Sequence, residues 1–79
     1  MLTPVAARRR QEDREKRFAK VIEILDPVER TQIANGMRLA AEEYERFEVA
    51  QRQEGHERIA EQFAAQAELS REIAAAVEL

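Results

Sequence analysis

The residues best suited to chemistry are a single histidine and a group of glutamates. His56 has Glu54 and Glu57 close to it in the sequence, and imidazole and carboxylate groups are both metal ligands. A metal site draws on several such ligands, however, and the chain has no second histidine and no cysteine. The glutamates also lack the Glu-x-x-His pairs of di-iron bundles. We therefore interpret His56 as a polar residue at the start of a helix and predict no metal site.

Four neighbouring carboxylates are the candidates for acid–base catalysis: Glu42, Glu43, Glu45 and Glu48. Such catalysis needs carboxylates in a pocket that shifts their pKa values. A bundle built from 79 residues has little room for a pocket, and these glutamates alternate with apolar positions. We interpret them as a solvated helix face. The sequence predicts a protein that is not an enzyme and uses no cofactor.

A dense basic run, RRRQEDREKR, occupies residues 8–17, where nine of ten residues are charged and six are basic. Its arginines could neutralise the phosphates of a nucleic acid; they are Arg8, Arg9, Arg10, Arg14 and Arg17. Alternatively, the run is a solvated helix with acid–base pairs one turn apart, or it docks on a protein surface. Three acids within it would weaken phosphate binding, and no aromatic residue before Phe18 could stack on a base. We favour the second interpretation and keep nucleic-acid binding as the alternative.

Length and composition indicate one small domain, residues 1–79, with a polar, basic N-terminal segment over residues 1–17. A domain this small buries only about 60% of the surface of its unfolded chain, and it usually needs a disulfide, a metal or a partner. Because cysteine is absent, we expect stabilisation by association into a homodimer. Residues 1–20 carry seven Lys and Arg against three acids, whereas residues 21–79 carry six Arg against thirteen acids. The basic end of one chain could therefore dock on the acidic part of another.

The sequence predicts neither a membrane span nor a secretory signal. Its apolar runs, such as Ala74–Val77, fall far short of the roughly 20 residues of a transmembrane helix. The N-terminus turns basic after a few residues and lacks the apolar core of a signal peptide. We expect a cytoplasmic protein, and the alanine and arginine content is typical of a GC-rich bacterium or its phage.

The fold class predicted from the sequence is all-α, with three helices at about residues 4–25, 27–54 and 56–78. Helix-forming residues dominate, and glycine and proline are rare. Thr3 can cap the first helix, with Pro4 at its first position. Asp26, Pro27 and Glu29 form the pattern of a capping box, so the first helix should end and the second begin at a sharp corner.

Apolar residues recur at the spacing of one helix face in each predicted helix. The first helix has such a stripe only in its second half, from Phe18 to Leu25, and we expect its first half to project into solvent or onto a partner. The second carries a heptad-like seam of Ile33, Met37, Ala40, Tyr44 and Phe47. The third carries Ile59, Phe63, Ala67, Ser70, Ile73 and Val77. We expect the second helix to continue through Asn35 and Gly36, with Gly36 at a close helix–helix approach. The residues that we expect to form protein interfaces are Phe18, Ile22, Ile33, Met37, Tyr44, Phe47 and Phe63.

Gly55 interrupts the apolar pattern and leaves two topologies open. A glycine at a helix C-terminus can adopt a left-handed conformation, which would let the second and third helices fold back as an antiparallel hairpin. Otherwise residues 27–78 form one helix about 78 Å long, which would belong to an intertwined dimer.

The hairpin region, residues 41–69, partly resembles a single tetratricopeptide unit. Tyr44 and Phe47 stand where that repeat has its first large apolar pair, and Ala60 and Ala67 stand at its two small packing positions. Gly55 falls at the turn. Glu48, Gln51 and Glu72 depart from the pattern. The resemblance implies a tight helical hairpin, whereas a solenoid needs at least about three such units.

Residues 2–47 resemble the C-terminal dimerisation region of MarR-family regulators. In that family, a Leu-Thr pair leads into a long helix, and a Leu-x-Pro-x-Glu-Arg corner precedes the last helix. The matching residues are Leu2, Thr3, Leu25, Pro27, Glu29 and Arg30. The recognition helix and wing of the family have no counterpart here. The resemblance therefore implies dimerisation and does not imply recognition of a DNA sequence.

These features favour a small interaction protein. We expect a homodimer that binds a larger protein through an apolar helical face and modulates or inhibits it. Nucleic-acid binding through the basic first helix is the alternative, and the two hypotheses differ in salt response, because phosphate binding weakens steeply as salt rises.

Overall fold

The computed structural model describes residues 3–78, which form an all-α fold without strands. Helix α1 spans Pro4–Ile24, α2 spans Pro27–Gln53 and α3 spans Glu57–Glu78. The predicted boundaries agree with these to within one residue. Leu2, one of the residues that carries the MarR resemblance, lies outside the described residues.

Both predicted N-terminal caps are confirmed. The Thr3 hydroxyl accepts a hydrogen bond from the Ala6 amide at 3.1 Å. At the corner between α1 and α2, the Asp26 carboxylate accepts from the Glu29 amide at 2.8 Å, and the Glu29 carboxylate accepts from the Asp26 amide at 3.0 Å. These bonds satisfy amides that have no partner within the helix. The corner is therefore fixed by residues that are neighbours in the sequence.

Asp26 should make the stability of the chain depend on pH. The hydrogen bond from the Glu29 amide holds the pKa of Asp26 below its usual value. Because the folded pKa is the lower one, the carboxylate stabilises the fold above about pH 4 and loses this effect as pH falls through the folded pKa. We expect Asp26→Ala to lower the thermal midpoint at neutral pH. Asp26→Asn should keep it, since asparagine caps as well as aspartate, and should remove this part of the pH dependence. Circular dichroism melts from pH 2.5 to 7 measure both effects; equal midpoints for Asp26→Ala and the wild type would contradict the capping role.

The turn between α2 and α3 is built around Gly55, which has a φ of +82°. The His56 amide donates to the Gln51 carbonyl at 2.8 Å, and the Gly55 amide donates to the Arg52 carbonyl at 3.1 Å. This pair of bonds is the Schellman motif, and its left-handed position favours glycine. The structure thus selects the hairpin over the single long helix.

Alanines form most of the core between α2 and α3, the most extensive helix pair. They recur every seven residues on both helices, as Ala34 and Ala41 on α2 and Ala60, Ala67 and Ala74 on α3, and each is at most 2% exposed. Ser70, Ala76 and Val77 complete the buried set. A seven-residue repeat keeps one stripe against the partner helix. Small side chains let the two backbones approach closely.

The predicted seam of α2 is not the stripe that packs most directly on α3. The stripe that faces α3 most directly contains Ala34 and Ala41, which the predicted seam omitted. Ile33 and Phe47, which the seam included, keep 38% and 43% of their surfaces exposed. The predicted seam therefore lies beside the helix–helix contact rather than in its centre.

Helix α2 is continuous through Asn35 and Gly36, as predicted, but the close approach expected at Gly36 does not occur within the chain. A Cβ atom at Gly36 would have no other atom within 4 Å, apart from its chain neighbours and the backbone of its own helix.

Helix α1 packs against α3. The three helices make a thin molecule whose Cα atoms extend over 44 × 29 × 13 Å. In an arrangement this thin, each helix has a large part of its surface open to solvent. Partial exposure of large apolar side chains follows directly from this shape.

Candidate interaction surfaces

The basic run divides between an inner and an outer side of α1. Arg10 forms ion pairs with Glu68 at 3.2 Å and with Glu72, and Arg14 reaches Glu72 at 3.3 Å. The side chains of Arg14 and Glu72 are only 13% and 18% exposed. The Gln11 amide group also donates to the Glu72 backbone carbonyl at 3.4 Å. Two of the five arginines predicted to contact phosphate or a partner are thus used to hold α1 on α3.

This finding corrects the view that the first half of α1 projects freely into solvent or onto a partner. The apolar stripe of α1 is confined to the second half of the helix, after Arg14, as the sequence indicated. The contact with α3 continues beyond that point through charged and polar side chains. Glu72 lies at the centre of this contact, because Arg10, Gln11 and Arg14 all meet it.

Neutralising Glu72 should loosen α1. We expect Glu72→Gln to lower the free energy of unfolding by about 1–2 kcal/mol, between the values for exposed and buried ion pairs. The effect arises because Arg14 stays largely buried without its carboxylate. Amide hydrogen exchange should show lost protection in α1 and little change in α2. Glu68→Gln is the matched control, since Glu68 is 68% exposed and pairs only with Arg10 among the described ion pairs. Equal effects of the two substitutions would contradict the central role of Glu72.

On the outer side of α1, exposed basic residues are interspersed with exposed acidic residues. Arg8, Arg9 and Arg17 are exposed, as are Lys16 and Lys20. Glu12 and Asp13 are exposed on the same helix. Five cations thus remain available to an acidic partner, with acids interspersed among them.

The four glutamates of α2 lie on the surface, and three of them form ion pairs with arginine. Glu43 pairs with Arg46 and Glu45 with Arg71 of α3, while Glu48 lies 3.0 Å from Arg52. The hydrogen bond that Arg46 donates to Glu43 raises the pKa of Arg46, and the one that Arg52 donates to Glu48 raises the pKa of Arg52. Glu42 lines an open depression with Glu45, Arg46 and Val49. This arrangement suits a solvated surface.

Ion pairs also connect α2 and α3 along the hairpin. Arg38 donates to both carboxylate oxygens of Glu78, at 2.7 and 2.6 Å. This two-bond contact raises the pKa of Arg38 and lowers the pKa of Glu78. Near the turn, Arg52 also reaches Glu57 at 2.5 Å. Such exposed pairs contribute little stability individually, but they favour the antiparallel register.

His56 lies at the turn between α2 and α3. Its Nδ1 atom is 2.8 Å from the Gln51 side-chain oxygen and 3.5 Å from a Glu54 carboxylate oxygen. The His56 carbonyl accepts from the Ala60 amide at 3.0 Å, so His56 is the residue that directly precedes α3. Within residues 3–78, no group of three His, Asp or Glu side chains is arranged to hold a metal ion.

The residues predicted to form protein interfaces are all partly exposed. Phe47 and Ile33 are the most open, and the other five are half-buried: Phe18, Ile22, Met37, Tyr44 and Phe63. The Phe63 ring lies 5.3 Å from the Phe47 ring and 6.3 Å from the Tyr44 ring, centroid to centroid, so these aromatics join α2 to α3.

Ile59, 44% exposed, is a further large apolar residue with an open surface, but it was not among the predicted interface residues. It lies one helical turn before Phe63. That spacing, already noted in the seam of the third helix, could have identified it. We define the apolar face as the seven predicted interface residues together with Ile59.

The chain is more open than a compact protein of its mass. A monomer of 9.1 kDa is expected to expose about 4,900 Å², whereas this chain exposes 5881 Å². Its radius of gyration is 14.4 Å, against about 12 Å for a compact domain of this length. The excess of about 1,000 Å² is similar to the roughly 800 Å² that each partner buries in a standard protein interface.

Comparison with protein-family models, curated proteins and solved structures found no match. The resemblances to a tetratricopeptide unit and to the MarR dimerisation region therefore stay predictions. Among the helices of the described residues, none is both long enough and apolar enough to cross a membrane.

Proposed function

We propose that this chain is a non-enzymatic helical protein that forms a homodimer and binds a larger protein, which it modulates or inhibits. The observation that carries the proposal is the distribution of apolar side chains. Alanines fill the hairpin core, while Ile33, Phe47 and Ile59 leave 38%, 43% and 44% of their surfaces exposed. Apolar surface of this kind, on a chain with about 1,000 Å² of excess area, favours association.

The surface charges support binding rather than catalysis. A general acid or base must exchange a proton near neutral pH. Glu43, Glu45 and Glu48 instead form ion pairs with arginines at an open surface. The exposed cations of α1 are free to recognise an acidic partner, and the apolar face provides the binding energy.

Nucleic-acid binding is the second candidate, because Arg8, Arg9 and Arg17 remain exposed on α1 together with two lysines. Pairing of Arg10 and Arg14 with α3 weighs against it, since those arginines have less freedom to contact phosphate. Each phosphate contact changes the slope of log K against log salt by about −0.9. Five contacts would give a steep slope, whereas an apolar interface would give a shallow one.

The function can be tested by affinity capture from bacterial lysate, with and without nuclease, at low and high salt. We expect a protein that stays bound after nuclease treatment and in high salt, and that is lost with the variant Ile33→Glu. The captured protein's activity should then change when purified chain is titrated into it. A triple variant, Arg8, Arg9 and Arg17 each to glutamine, separates the candidates. Recovery that disappears with nuclease and with this variant would favour nucleic-acid binding.

A further inference from the structure

Gly36 is not explained by the fold of a single chain. It lies in the regular part of α2, where glycine is less favourable than alanine. Its φ is not positive, so no left-handed conformation requires it. A Cβ atom at this position would meet no neighbouring side chain or other helix within 4 Å. Neither backbone conformation nor packing within the chain calls for a glycine here.

Three of the four residues one helical turn from Gly36 are apolar, namely Ile33, Leu39 and Ala40, and the fourth is Gln32. Ile33 precedes it by three residues and Ala40 follows it by four, so all three lie on one stripe. Ile33 is 38% exposed, and Phe47, seven residues after Ala40, is 43% exposed. The stripe thus places two small residues between two large apolar ones. A second helix could approach closely at the small residues and contact the large ones on either side.

The occupant best matched to this stripe is a second copy of the chain. The molecule exposes about 1,000 Å² more than a compact monomer of its mass. A standard interface buries roughly 800 Å² of surface on each partner. One contact between two copies would therefore bury an area similar to the excess exposed area of this chain. A two-fold contact uses the same patch on both copies and therefore needs no other exposed apolar surface.

We propose, building on the homodimer of the proposed function, that two copies pair through antiparallel α2 helices that cross at Gly36. Gly36 of one copy lies against Gly36 of the other, and Ile33 of each copy packs against Ala40 of its mate. Because large Ile33 packs against small Ala40, this contact and the contact between the two Gly36 residues can form at the same short distance between the helix axes. The glycine serves this contact between copies.

A disulfide tests this geometry directly. The natural chain has no cysteine, so Gly36→Cys introduces a single thiol. A disulfide needs Cα atoms about 4.4–6.8 Å apart, which a close crossing provides. Copper-catalysed oxidation should give a covalent dimer with Gly36→Cys and little with the control Asn35→Cys, which lies on an adjacent part of the helix. Equal cross-linking of the two variants would overturn the proposed crossing point.

Sedimentation equilibrium provides the second test. Gly36→Leu should raise the dimer dissociation constant at least 100-fold, while Asn35→Leu leaves it nearly unchanged. Circular dichroism should show that Gly36→Leu stays helical, because the position is open within the chain. If Gly36→Leu dimerises like the wild type while Ile33→Glu dissociates, the crossing lies elsewhere and only this inference fails. If the wild-type chain is monomeric up to about 1 mM, this inference and the homodimer of the proposed function both fail.

Discussion

Replacing Ala67 with leucine should destabilise the folded chain by about 1–3 kcal/mol or more. Ala67 is 2% exposed, in the middle of the alanine stripe that joins α3 to α2. Three additional carbon atoms at this position must either push the helices apart or force side chains out of their preferred rotamers. A domain of this size has roughly 3–5 kcal/mol of stability from its core. A single substitution could therefore remove a large part of it.

Urea unfolding, followed by circular dichroism, measures this effect. Ala65→Leu is the matched control, because Ala65 is exposed on the same helix and leucine retains high helix propensity. We expect its unfolding midpoint to stay close to that of the wild type. The double variant Ala41→Leu with Ala67→Leu should be largely unfolded in buffer. If Ala67→Leu were as stable as Ala65→Leu, the alanine stripe would not be the tight contact described above.

Replacing Ile33 with glutamate should dissociate the homodimer. Truncation of residues at the centre of an interface commonly costs 2–4 kcal/mol, and a buried carboxylate adds the penalty for losing its hydration. A loss of about 3 kcal/mol corresponds to a change of roughly 150-fold in the dissociation constant. Because Ile33 is 38% exposed in the single chain, the monomer should tolerate the substitution and remain helical.

Val49→Glu is the control for this prediction. Val49 lies on the same helix and is more exposed than Ile33, at 55%, but it is sixteen residues further along, which places it on nearly the opposite side of α2. We expect this variant to dimerise like the wild type when both are compared by sedimentation equilibrium at several concentrations. The reverse pattern, with Val49→Glu dissociating and Ile33→Glu associating, would locate the interface on the opposite side of α2.

The dependence of dimer affinity on salt is an independent test of whether the dimer interface is apolar. An apolar interface should keep its affinity as salt rises, whereas docking of basic α1 on an acidic surface of another copy should weaken, because salt screens exposed charges. A dimer that dissociates as salt rises from 0.05 to about 1 M would favour the charge-based mode that the uneven charge distribution suggested.

The local features of the fold could be predicted from the sequence. Asp26, Pro27 and Glu29 specify the corner between α1 and α2, because a capping box needs only residues within one turn. Gly55 marked a possible end of α2 for a similar reason, but the sequence left one long helix over residues 27–78 open. The positive φ of Gly55 and the contact between α2 and α3 decided for the hairpin.

The choice of core residues needed the tertiary structure. Alanine has high helix propensity and occurs on several faces of these helices, so its presence does not identify the buried side. Ala34 and Ala41 are buried because α3 lies against them, whereas the larger Ile33 and Phe47 stay partly exposed. A pattern based on large apolar residues therefore predicted the neighbouring stripe.

The role of the basic run was also decided by tertiary structure. Its charge and helical form could be predicted, but Arg10 and Arg14 meet Glu72, a residue about 60 positions away in the sequence. No local rule connects such distant residues, because their meeting depends on the direction in which α1 leaves the corner and on the return of α3. The sequence by itself determined the caps of α1 and α2 and the corner between them, since hydrogen bonds between near neighbours set those points, whereas the choice of the hairpin at Gly55 came from the tertiary structure. Only packing among the helices decided which apolar side chains and which arginines remain available to a partner.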